Sequence, residues 1–241
     1  MTSLDNATLS FISGKVAEEF TGVNISNLAG GYCVISGISA NYPPQGRYES
    51  KAKFVRRIFS SLEDTHQVGL ISYFIEHSSK LQEDATVQQL LVRLYQEYPV
   101  TSQTVEEQKR FEEIEFLLSS YQNSLELWNK ALVYKQSYQY RECLDNARLC
   151  LELLLKDILS NGKSIENQRT DFCTWLGTKS VPNEVVNMIW KSIDDYAKVQ
   201  NQHVKHALSE KLLPVEVDFI LDETYTIIKY LANKAKEMTH E

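Results

Sequence analysis

Residues 140–159 read YRECLDNARLCLELLLKDIL. Leu144, Ala147, Leu151, Leu154 and Ile158 recur in steps of three and four, which places them on one stripe of a helix with a period near 3.6 residues. Cys143 and Cys150 fall beside that stripe. Arg148, Glu152 and Lys156 stand at i, i+4 and i+8 on its edge, a spacing that lets neighbouring charges meet on a helix surface. The SNGKS that follows is a glycine-containing stop signal.

Reading outward, residues 106–134 carry a second stripe: Phe111, Ile114, Leu118, Tyr121, Leu125, Trp128 and Leu132. The alternating steps predict one helix of roughly 40 Å at ~1.5 Å per residue, with Thr104 as its cap and acidic residues in its first turn. A stripe of that length needs a long partner, either residues 140–159 or a second subunit. NEVVNMIWKSIDDYAKVQNQHVKHAL predicts a third helix. A fourth follows Pro214, with Val217, Ile220, Leu221, Thr224, Ile228 and Leu231 at helical spacing. The expectation for 104–241 is an up-down four-helix bundle.

Shorter helices are predicted before it, in ATLSFISGKVAEEF, NISNLAGGYCVIS, SKAKFVRRIFSSLED (capped by Ser50), QVGLISYFIEHSSKL and ATVQQLLVRLYQEY. GISANYPPQGRYES is the strongest break, and YPVTSQT is the expected joint between a small helical domain, 1–103, and the bundle. The fold class is therefore all-α. Only nine glycines and five prolines punctuate 241 residues, which fits helices better than many short strands.

The composition, 43% hydrophobic and 24% charged, supports a real core and no disordered tract. No apolar run reaches the ~18 residues of a membrane span, and the first residues lack the basic start and apolar run of a secretion signal. The four cysteines are scattered without C-x-x-C, which suggests free core thiols and a cytoplasmic setting. A net charge of −7 disfavours a broad nucleic-acid surface and leaves room for a local basic patch.

No phosphate-loop, dinucleotide, zinc-protease or nucleophile-elbow motif occurs, so no cofactor is expected. KAKFVRRIF places Lys53, Arg56 and Arg57 opposite Phe54 and Ile58, as a solvated face or a phosphate-touching one. QNQHVKHAL, residues 200–208, concentrates two of the five histidines. His203 and His206 lack further ligands at metal spacing; an acid–base role fits an imidazole better. The neutral alternative has them decorating a helix end.

Two stretches together resemble the HEPN superfamily, and within it the C-terminal domains of bacterial abortive-infection proteins. The first is YRECLDNARLCLELLLKDIL. The second is YAKVQNQHVKHALSEKLLPVEVDFILDETYTIIKYLANK, similar to the family's R-x4-6-H segment and final helix. The resemblance spans roughly 105–241. It implies a homodimer and, in many members, a metal-independent ribonuclease in which the motif histidine assists attack by the RNA 2′-hydroxyl and the arginine stabilises the phosphorane. Carried over, His206 is the histidine, Asn201 the residue after the arginine, and Gln200 stands where the arginine is expected. Glutamine brings no charge to the transition state; Lys198 or Lys205 would have to supply it, with Arg148 and Glu152 lining the groove. The resemblance thus leaves two functions open in antiphage defence: a ribonuclease with a degenerate site, or a non-catalytic module that dimerises and binds RNA or a protein partner. The N-terminal part, TGVNISNLAGGYCV and SKAKFVRRIFSSL, resembles the small helical domains that precede HEPN in AbiJ-type defence proteins, which implies partner sensing or docking.

Overall fold

The computed structural model describes residues 4–39, 42–98, 105–199 and 213–237, with the side chains of 105–109, 111 and 199 excepted. All the described secondary structure is helical, as the periodicities require. The chain divides into two compact units, Met1–Ser102 and Gln103–Glu241.

The first unit holds α1 (Asn6–Glu19), α2 (Gly22–Ile35), α3 (Lys51–Ser60), α4 (Asp64–Glu76), α5 (Ser79–Glu83) and α6 (Ala85–Glu97). Short oxygen-bearing side chains start five of the six. Asp5, Thr21, Ser50, Ser78 and Asp84 each accept from a backbone N–H in the first turn that has no partner inside its own helix. Ile12, Val16, Ile25, Phe54, Ile58, Phe59, Leu70, Phe74 and Leu91 lose all exposure in the core. Phe59 and Phe74 meet edge to face, with centroids 6.2 Å apart. Helix α2 lies against α4, and Tyr32 passes over Gly69 so closely that a Cβ there would stand 2.1 Å from the phenol oxygen and 2.9 Å from Cζ.

The second unit holds α7 (Val105–Leu117), α8 (Gln122–Gln136), α9 (Tyr140–Leu159), a 3-10 turn (Ile165–Asn167), α10 (Arg169–Thr178), α11 (Asn183–Val199) and α12 (Pro214–Lys236). Helix α9 is the pivot. Cys143, Leu144, Ala147, Cys150, Leu151, Leu154 and Leu155 are at most 1% exposed, because α8, α10 and α12 all pack against it. Burial pushes both the Cys143 and Cys150 thiols up to about 12, so they act as small apolar groups. Polar links fasten α7 to α12: Arg110 reaches Asp222 at 2.7 Å, Lys229 reaches Glu113 at 2.7 Å, and Tyr225 donates to the same Glu113 carboxylate.

Three expectations change. The single helix read over 106–134 is two, broken between Leu117 and Gln122. Ser119 Oγ donates to Phe116 O (2.9 Å), Tyr121 N–H turns back to Leu118 O (2.8 Å) and Gln122 Nε2 takes Ser119 O (2.6 Å). Serine side chains offer the backbone this alternative to continuing a helix. Helix α10 is additional, anchored by fully buried Phe172 and Leu176, so the four expected helices become six among the described residues. The stop after α9 does not use Gly162. Ser160 itself takes the left-handed conformation (φ 50°, ψ 45°), with its N–H on Asp157 O and Asn161 N–H on Lys156 O. This is a Schellman closure with serine at the glycine position. Tyr138 and Ser180 repeat it after α8 and α10, at φ 59° and 56°.

Left-handed backbone costs a non-glycine residue about 1–2 kcal/mol. Ser160→Gly should therefore raise the free energy of unfolding, by up to about 1 kcal/mol once the added freedom of the unfolded chain is subtracted. Gly69→Ala should act the opposite way and cost about 1–3 kcal/mol, because the Tyr32 ring must move to admit the methyl group. Urea denaturation of both variants checks the pair.

Candidate functional site

The polar strip on α9 follows from spacing alone. Residues four apart lie one above the other on a helix, so Arg148, Glu152 and Lys156 form a vertical ladder beside the apolar stripe of α9. Glu152 divides its carboxylate between its neighbours: Oε2 accepts from Arg148 Nη1 at 3.1 Å and Oε1 from Lys156 Nζ at 2.7 Å. The ladder is more enclosed than a surface one. Glu152 is 9% exposed as a residue, and the Arg148 and Lys156 side chains retain 22% and 26%. With that little water to screen them, the two cations and the carboxylate need one another more than exposed pairs do.

Sequence reading missed the residue that joins this strip to the rest of the unit. Tyr196, in the last turn of α11, is 8% exposed and donates its phenol hydrogen to Leu144 O at 3.0 Å. Burial raises the phenol above its ordinary range; a hydrogen bond involving Thr224 of α12 and the nearby Arg148 charge work the other way. The end of α11, the α9 turn that leads to Arg148, and the middle of α12 therefore meet at one hydroxyl. The available signal was positional. Tyr196 continues the run of Val186, Ile189 and Ile193 along the buried face of α11.

The other residues of the expected site divide as follows. Gln200, Asn201, Lys205 and His206, together with His203, lie outside the described residues. Lys198, read as a substitute cation, is exposed and bonded to Asp194, with Asp195 at 3.8 Å. Arg148 and Glu152 are brought together, but with each other and Lys156 rather than at an open cation. Among the described residues no group of three or more His, Cys, Asp or Glu side chains could hold a metal ion, and no helix is long and apolar enough to cross a membrane. His66 and His77 belong to the first unit: the His66 ring lies 3.4 Å from the Tyr32 hydroxyl, and His77 Nδ1 lies 2.7 Å from Tyr73 O. As it stands, the strip can hold charge and position a helix. Arg148 gives Glu152 only its Nη1 and Lys156 a single bond, so an anion there would meet the remaining donors of cations whose charge Glu152 already partly offsets.

Searches against protein-family models, curated proteins and solved structures return no match.

Glu152→Ala should leave two partly buried cations facing each other's neighbourhood without an anion, and should lower unfolding stability by about 1–3 kcal/mol. Lys156→Ala removes only one arm and should cost under about 1 kcal/mol. Chemical denaturation at neutral pH measures both; equal, negligible effects would make the ladder ornamental.

Proposed function

We propose that this chain is a HEPN-like protein of bacterial antiphage defence, and that its Gln103–Glu241 unit works as a non-catalytic, dimerising adaptor for RNA or a protein partner. The observation that carries this choice is the closure of the cations. Arg148 and Lys156 share Glu152, Lys198 is held by Asp194, and the position where the resemblance expects arginine is Gln200. Catalysis of phosphoryl transfer draws most of its rate from preorganised positive charge at the phosphorane, and a lysine in place of an arginine fork supplies a point charge only.

The helical order supports the family part of the reading. Helix α9 coincides with the first resembling stretch, and α12 with the final helix of the second. Dimerisation has one further support besides the resemblance. Val215 and Phe219, one turn apart on α12, stay 67% and 65% exposed, which suits burial against a second copy. The long stripe of α7 and α8 does not bear on it, because Ile114, Leu118 and Trp128 are already covered inside the unit.

A specific observation keeps a ribonuclease as the second reading. Tyr196 ties the last turn of α11 to Leu144 O, one turn before Arg148 on α9, and the Gln200-to-His206 stretch that carries the resemblance follows it directly in the sequence. Incubation of the purified protein with RNA in chelator separates the readings. The adaptor reading expects no cleavage by the wild type, cleavage gained on Gln200→Arg, that gain lost again on adding His206→Ala, and phage protection unaffected by His206→Ala alone. Cleavage by the wild type that His206→Ala abolishes, together with loss of protection, would establish the enzyme instead.

A further inference from the structure

The first unit carries a charge distribution that the whole-chain balance conceals. Residues 20–62 contain five cations, Arg47, Lys51, Lys53, Arg56 and Arg57, and one carboxylate, Glu49, for a net +4 in a chain of −7; the remainder therefore carries −11. The single carboxylate is spent on a single cation. Glu49 receives the Arg57 fork, Nε to Oε1 at 3.0 Å and Nη2 to Oε2 at 2.8 Å. No ion pair is recorded among the described residues for Arg47, Lys51, Lys53 or Arg56; Arg56 donates to the neutral amide oxygen of Asn6 and Lys51 to the backbone oxygen of Phe20.

The same Glu49–Arg57 pair shapes the loop in front of α3. Arg57 also donates to Pro43 O (2.9 Å) and Pro44 O (3.3 Å), which draws the loop over the solvent face of the helix. Glu49 N–H bonds Gly46 O at 3.0 Å, and Gly46 N–H returns to Glu49 Oε2 at 3.0 Å. Gln45 Nε2 adds a bond to Glu49 O at 2.8 Å. The result is a closed four-residue turn whose two central residues are Arg47 and Tyr48. Tyr48 is 92% exposed, and the Arg47 guanidinium lies 5.7 Å from its ring centroid. An aromatic ring is thus held in water, backed by a cation, on a turn tied down by five hydrogen bonds at Glu49 and two more from Arg57. A face that is merely solvated has no need of a fixed, uncovered tyrosine.

We propose that this turn and the cationic face of α3 form a binding surface for a single-stranded polynucleotide. Tyr48 offers a flat face on which an unpaired base stacks, and Arg47 extends that platform on the ring's other side. Lys53 and Arg56, opposite the buried Phe54 and Ile58, meet the phosphates. A duplex keeps its bases stacked inside and offers the ring nothing. The turn is ordered before binding, so little conformational freedom is lost when the base arrives. The surface lies wholly within residues 42–57 and does not depend on the role assigned to the second unit.

The test is fluorescence anisotropy of the full-length chain with labelled oligo(U) and oligo(dT) of about 15 nucleotides, a duplex of the same length, and anionic phosphatidylserine vesicles. Single strands should bind, more weakly as salt rises. Tyr48→Ala should weaken binding about tenfold, and Lys53→Glu should weaken it several-fold and flatten the salt dependence by about one unit of slope or more. Both positions are exposed, so both variants should melt with the wild type. A preference for oligo(U) assigns RNA as the source, and the reverse assigns DNA. Wild-type affinity in both variants, duplex binding as tight as single-strand binding, or vesicle binding without single-strand binding would each overturn the proposal. RNA binding that survives His206→Ala but falls with Tyr48→Ala separates this surface from any site in the second unit.

Discussion

One face of helix α9 is closed to water from Cys143 to Leu155, and the second unit is organised around that one fact. Seven of its side chains are essentially unexposed, and burying a leucine fully contributes about 1.5–3 kcal/mol. Between the face covered by α8, α10 and α12 and the exposed side that carries Arg141, Glu142 and Asp157 lies a half-buried flank. On that flank a carboxylate cannot stand alone and a cation cannot stand alone. The sequence Arg-x3-Glu-x3-Lys meets the constraint with one anion between two cations. Tyr196 answers the same constraint from α11, because a phenol brought into the interior must find an acceptor, and Leu144 O is the one it finds. The polar strip is thus first a condition of packing α9, and any function there is limited by it.

The α9 strip and the α3 face handle charge differently. In the second unit, cations near the expected site are matched: Arg148 and Lys156 by Glu152, Lys198 by Asp194. Around α3, Glu49 is matched to Arg57 to fix a turn, while Lys51 and Arg56 meet only neutral oxygens. A segment of net positive charge in an otherwise acidic chain focuses the field there. The proposed division of labour is a binding surface on residues 42–57 and a bundle after residue 103 whose polar strip is structural.

How much of this was readable in the sequence varies with the range of the interaction that decides it. Helix α9 was legible to the residue, because a 3-4 repeat flanked by charges is local information. Ser50, as the cap of α3, was legible for the same reason. The α7–α8 break was not, since Leu118 and Tyr121 keep their three-residue step across a turn as they would in a helix; the serine pair between them was the only sign. Helix ends were obscured because Tyr138, Ser160 and Ser180 occupy left-handed positions that glycine usually marks. Spacing put Arg148, Glu152 and Lys156 in a ladder, but its low exposure is set by tertiary packing, which spacing does not carry. The loop before α3 read as a break. Its order comes from Arg57, eight to fourteen residues downstream of its partners, which composition does not reveal.

The central claim is that the α9 ladder is a coupled structural unit whose cations are committed to Glu152. A double-mutant cycle between Arg148 and Glu152, each replaced by alanine singly and together and measured by urea denaturation, tests it most directly. The expected result is a coupling free energy of about 1 kcal/mol or more, with the double variant more stable than the sum of the single losses implies. Additive losses, with a coupling near zero, would mean that Arg148 is free of Glu152 and available to a ligand, and would contradict the account.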